Sequence, residues 1–82
     1  MTNAHQTLVN LVSNRVLDLE NFYNVTIETQ NRLNLQATYS SELAYNIKTA
    51  FKGANLTSEL TDNGYIQMIV SYFDTTIRIT LT

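Results

Sequence analysis

The sequence predicts an α+β domain in which two helices cover one face of an antiparallel sheet, with the element order α-β-β-α-β-β-β. Three observations lead there. Apolar residues recur at helical spacing near the amino terminus and again in the middle of the chain. Between and after these stretches the apolar period switches to two. Asn63-Gly64 adds a strong hairpin signal, because both residues tolerate positive φ. With 82 residues the chain is one domain spanning 1–82. Its folded surface should be roughly 5,000 Å² against roughly 13,500 Å² for the unfolded chain.

The first helix begins at Asn3, a capping residue with Gln6 three positions on as its capping-box partner. Ala4, Leu8, Val9, Leu11, Val12, Val16, Leu19, Phe22 and Tyr23 share one stripe, which predicts a core-facing helix up to Tyr23-Asn24. Two residues disobey it: Arg15 falls inside the stripe and Leu17 lies on the opposite face.

From Val25 to Tyr39 odd positions carry Val25, Ile27, Leu33, Leu35, Ala37 and Tyr39, and even positions are polar. One strand of that length would far exceed the usual five or six residues, so a hairpin is expected in preference to a single long strand. Parity favours a three-residue loop, Gln30-Asn31-Arg32, pairing Thr29 with Leu33 and Ile27 with Leu35. Ser40-Ser41-Glu42 starts the second helix and Lys48, Lys52 and Gly53 stop it, giving about 41 to 53 with Leu43, Ile47, Ala50, Phe51 and Ala54 buried. Strands at about 56 to 62, 65 to 73 and 76 to 82 follow. Tyr72 is expected opposite Ile77 and Val70 opposite Ile79. Ile66, Met68, Val70, Tyr72, Ile77, Ile79 and Leu81 then face the helices. The helix-plus-hairpin order occurs twice, but no residue pattern repeats with it.

Composition excludes several functions. Apolar residues at 44% and charged residues at 15% argue against disorder. A net charge of −2 with five basic residues gives counterion release little to act on, so a nucleic-acid partner is disfavoured. There is no cysteine for disulfides, thiolate chemistry or Cys-type zinc sites. His5, the single histidine, has no second ligand near it in sequence, and no metal or cofactor motif is present. Asp18 and Glu20 are two apart on a helix and diverge, so no acid-base pair emerges and no enzyme is expected. Met1 to Gln6 lacks the features of a signal peptide and no apolar run reaches a membrane span, which makes the cytoplasm the expected location. The sequons at Asn24 and Asn55 are then without consequence.

Asn, Gln, Ser and Thr supply 31 residues against 12 charged ones. Uncharged polar surface is cheaper to desolvate than ionised surface and suits association with another protein. An AT-rich genome would produce the same composition. The main candidate surface is the sheet face away from the helices, where Tyr65, Ile69 and Phe73 fall at i, i+4 and i+8 of one strand beside Arg78, with Leu60 across the hairpin. A bulge in this segment would exchange the two faces. A secondary surface is Tyr45 with Lys48 and Lys52 on the solvent side of the second helix, a placement the helix dipole also favours. Arg15 is read as a stem over apolar surface with its head in water. The expected function is a non-enzymatic interaction module binding stoichiometrically to a protein. That partner is a second copy or a target that is inhibited or tethered, in the manner of phage and mobile-element accessory proteins. The alternative is a nucleic-acid or nucleotide binder using Tyr65, Phe73, Arg32 and Arg78 on the open sheet.

Overall fold

The computed structural model describes residues 3–82; Met1 and Thr2, part of the amino-terminal stretch read above, lie outside the described residues. Helix α1 spans Ala4–Ser13, a 3-10 turn spans Leu19–Asn21, and strands β1 (Asn24–Thr29) and β2 (Arg32–Ala37) form a hairpin. Helix α2 (Ser41–Ala50) then leads to β3 (Asn55–Leu60), β4 (Ile66–Tyr72) and β5 (Thr75–Leu81). The sheet order is β1-β2-β5-β4-β3. Neighbours pair antiparallel except β2 and β5, which run parallel, so the sheet is mostly and not wholly antiparallel. The two helix-hairpin units therefore lie on opposite sides of β5, the central strand.

Helix α1 starts as expected, with the Asn3 side chain accepting from the Gln6 N–H at 2.8 Å. It ends ten residues earlier than the stripe predicts. Arg15 adopts φ 59°; its N–H donates to the Val12 carbonyl and the Val16 N–H donates to Leu11 at 2.8 Å. These two bonds form a Schellman motif with arginine in the left-handed position usually held by glycine. The chain turns there, and this explains both residues that broke the stripe. Leu17 is buried because it is no longer on the helix, and Arg15 is exposed outside it. Asp18 caps the 3-10 turn by accepting from the Glu20 N–H at 3.0 Å.

Val25 to Tyr39 is a hairpin, but its turn is Gln30-Asn31, with a bulge at Glu28 between Ile27 and Thr29. Ile27 consequently faces Leu33 and Val25 faces Leu35, a shift of two residues from the expected register that keeps every apolar side chain on its expected face. Helix α2 is capped by the Ser40 hydroxyl, which accepts from Leu43 N–H at 3.0 Å. It closes at Ala50 with Phe51 as C-cap; Gly53, at φ 96°, makes the reversal into β3.

The β3–β4 connection uses Asn63-Gly64 differently from a two-residue turn. Thr61 N–H donates to the Tyr65 carbonyl and Gly64 N–H to Thr61, with Gly64 at φ 82° supplying the left-handed residue of a three-residue loop. Leu60 therefore pairs with Ile66 and belongs to the helix side of the sheet, not to the outer face. At the β4–β5 turn Phe73-Asp74, Tyr72 pairs with Thr75 and Val70 with Ile77, again two residues from expectation with the faces preserved.

The core lies between the helices and one sheet face. Leu33, Leu35 and Ala37 of β2, Met68 and Val70 of β4, and Ile77, Ile79 and Leu81 of β5 pack with Ala4, Leu11, Ile47 and Phe51. Leu17 and Phe22 fill the space behind the end of α1. Burying such side chains stabilises by about 1.5 to 3 kcal/mol each. Two hydroxyls, Thr7 and Thr75, are buried with them and hydrogen-bond to each other at 3.0 Å.

Candidate interaction surface

The ladder registers define the outer face of the sheet. Its central row reads Thr26, Asn34, Arg78, Ile69, Thr57 from β1 to β3. The next row reads Asn24, Gln36, Thr80, Gln67, Glu59. Side chains cross-link this lattice: Asn24 donates to Gln36 at 2.6 Å and Thr26 to Asn24 at 3.1 Å. Asn34 Oδ1, on the central row, is buried with no donor among the described residues. An acceptor left this way costs about 1 to 3 kcal/mol. The face is thus mostly amide and hydroxyl surface, with Ile69 as its apolar centre beside Arg78 and with Glu59 and Arg32 toward its margins.

The residues expected to form one apolar row are separated. Ile69 lies on β4 directly opposite Arg78 of β5, where the expected register would have set it opposite Thr80. Tyr65 precedes β4 at one end and is 41% exposed. Phe73 is not a strand residue. It sits in the β4–β5 turn at φ 53° and is 81% exposed. Its ring packs edge-on against Tyr72 at 4.7 Å, and Tyr72 is on the helix side. Phe73 therefore stands at the rim between the layers. Beside it lie two shallow grooves, one lined by Thr7, Asn10 and Asn14, the other by Gly53, Ala54, Asn55 and Ser71 together with Lys52.

The secondary surface is also divided. Tyr45 and Lys48 are exposed on α2, whereas Lys52 lies past the helix end in the turn toward β3. His5 is exposed in the first turn of α1. Among the described residues no three His, Cys, Asp or Glu side chains converge, and no helix is long and apolar enough to cross a membrane. Arg15 lines the rim of a cleft of about 410 Å³ whose wall includes Leu17, Phe22, Leu43 and Ile47.

Sequence reasoning missed that three exposed tyrosines share one end of the sheet. The end of β2 and the start of β4 flank the carboxyl end of β5, and the start of β1 pairs with the end of β2, which brings exposed Tyr23, Tyr39 and Tyr65 to one end of the sheet. Tyr39 N–H donates to the Thr82 carbonyl, and the Tyr23 hydroxyl lies 3.2 Å from Thr82 Oγ1. Their common position, each just outside a strand terminus, was the available signal. Comparison with protein-family models, with curated proteins and with solved structures finds no match to this chain.

Proposed function

We propose that this chain is a protein-interaction module acting by stoichiometric binding, with Phe73 as its anchor and the outer face around Ile69 and Arg78 as adjoining contact surface. Phe73 carries the reading. A left-handed conformation costs an L-residue about 1 to 2 kcal/mol, and an aromatic ring left in water forgoes the benefit of burial. The fold pays twice for this residue and receives one edge contact with Tyr72 in return. Strain of this kind concentrates at functional positions, and aromatic side chains are the usual anchors of interfaces. The grooves flanking it are lined almost wholly by uncharged groups, which desolvate cheaply when a partner arrives.

Phe73→Gly separates folding from binding. The monomer should hold or gain stability, by up to about 1 kcal/mol, since the relief of positive φ offsets the entropy glycine loses and the edge contact with Tyr72, while a photo-crosslinker in place of Phe73 should yield an adduct of defined mass in the producing cell. A variant that loses stability would make the ring structural and remove its claim as an anchor. Arg32 and Arg78 do share the outer face by register, which favours nucleic-acid binding as the second reading. It predicts an affinity falling steeply between low and moderate salt.

A further inference from the structure

The sheet has two edges, and they differ. On β1 a bulge at Glu28 breaks the ladder, and the chain just beyond it is held by the Ala4 N–H, which donates to the Gln30 carbonyl. A bulge is a standard means of blunting an edge. Strand β3 has none: it pairs with β4 without interruption from Asn55 to Leu60, contains no proline or lysine, and carries its single charge, Glu59, on the outer face.

Backbone polarity alternates along a strand. Because Thr61 N–H donates to the Tyr65 carbonyl, the polar groups of Thr61, Glu59 and Thr57 point toward β4. Those of Leu56, Ser58 and Leu60 point away from the sheet. The side chains of the same three residues lie on the helix side, where Leu60 is 73% exposed.

We propose that a second copy of this chain docks antiparallel along β3, continuing the sheet across a two-fold axis at Ser58. A two-fold perpendicular to the sheet keeps both helix layers on one side, so facing residues must share parity. Centring on Glu59 sets two like charges opposite each other. Centring on Thr57 places Leu60 against Ala54, which lies outside the strand. Centring on Ser58 sets each Leu56 against the Leu60 of the other copy and each Glu59 against a threonine. Every outward N–H and C=O of Leu56, Ser58 and Leu60 then has a partner. The flanking charges agree with this register: Lys52 precedes β3 and Asp62 follows it, so antiparallel docking brings the Lys52 end of each copy to the Asp62 end of the other. One Phe73 groove reaches Lys52, Ala54 and Asn55 at the start of β3, but the edge groups of Leu56, Ser58 and Leu60 lie outside it, and either surface stands if the other fails.

One strand edge buries less than a standard interface, so monomer and dimer exchange. Light scattering from about 10 µM to about 1 mM should show the mass doubling with concentration. Ser58→Pro should stay monomeric with an unchanged far-UV spectrum, since proline removes only an N–H that faces away from β4 and edge strands accept it there. Should Ser58→Pro fail to fold, charge reversal replaces it: Asp62→Lys weakens dimerisation at least about tenfold, and the Lys52→Asp, Asp62→Lys double variant restores it. A wild-type mass that stays monomeric throughout overturns the proposal. So does dimerisation by Ser58→Pro, or a reversal that the double variant does not rescue. Phe73→Gly should leave the transition untouched.

Discussion

The buried Thr7–Thr75 contact joins the middle of α1 to the first residue of β5, and its energetics can be predicted in some detail. Both residues are 1% exposed and their hydroxyls are 3.0 Å apart. Thr7→Val preserves shape and removes one hydroxyl, leaving that of Thr75 without its partner in a dry site. An orphaned buried group costs about 1 to 3 kcal/mol, and about 2 is expected here. Thr75→Val should cost less, about 1 kcal/mol, because a helical threonine can turn its hydroxyl to the carbonyl four residues back, which for Thr7 is that of Asn3. Removing both hydroxyls leaves nothing unsatisfied, so the double variant should lie within about 0.5 kcal/mol of wild type. The singles therefore exceed the double by about 2.5 to 3.5 kcal/mol in sum. Urea denaturation of the four proteins measures this, with a common slope as the check that unfolding stays two-state. Additive costs, with the double variant as unstable as the two singles together, would show that the hydroxyls do not serve each other and that the α1–β5 packing is misassigned.

Phe51, fully buried and edge-on to Tyr72 at 5.9 Å, should cost about 3 to 5 kcal/mol when replaced by alanine. A domain of this size has roughly 4 to 12 kcal/mol in total, so a circular dichroism melt of Phe51→Ala should show a collapse of thermal stability, and an unchanged midpoint would contradict its place in the core. Arg15→Gly should gain about 0.5 to 1 kcal/mol, the relief of positive φ less the extra entropy glycine loses on folding. A rise of roughly 3 to 8 °C in the melting midpoint corresponds to that gain; a fall would mean that the guanidinium stem contributes more than the backbone strain costs.

The element order, both helix caps and the helix-side face of the sheet were legible because each rests on local chemistry. Asn3 and Ser40 cap as their side chains allow, and Met68, Val70, Ile77 and Ile79 are buried because alternation leaves them nowhere else to point. The end of α1 was not legible as a stop signal, since no glycine or asparagine occupies the left-handed position. Its trace was the pair of misfits, Arg15 and Leu17, which mark where the helical period ceases to apply. The parallel pairing of β2 with β5 leaves no local mark at all, because it joins strands separated by a helix and two other strands. Alternation extends β4 through Phe73, because a phenylalanine continues an alternating strand far more often than it opens a tight turn, and so groups it with Tyr65 and Ile69 on a face it does not share.

Two kinds of register error behave differently, and the difference says which strands are strongly specified. In both the β1–β2 and β4–β5 pairs the expected partners are off by two residues, yet no side chain changes face. A shift of two exchanges one apolar residue for the next and is decided by turn geometry alone, whereas a shift of one would bury Gln67 and Arg78 in place of Met68 and Ile79. Burial forbids the second and is nearly indifferent to the first. At β3 the error was a single residue, and it moved Leu60 to the wrong face without any conflict to reveal it. The reason lies in the strand itself: in Asn55–Leu60 the apolar residues are Leu56 and Leu60, and of these only Leu56 is half-buried. Weak patterning leaves β3 held mainly by its ladder to β4 and by the Thr61–Gly64 turn. A strand so little committed to its own core has leucines and backbone groups to offer elsewhere, which is the condition that edge-to-edge pairing with a second copy requires.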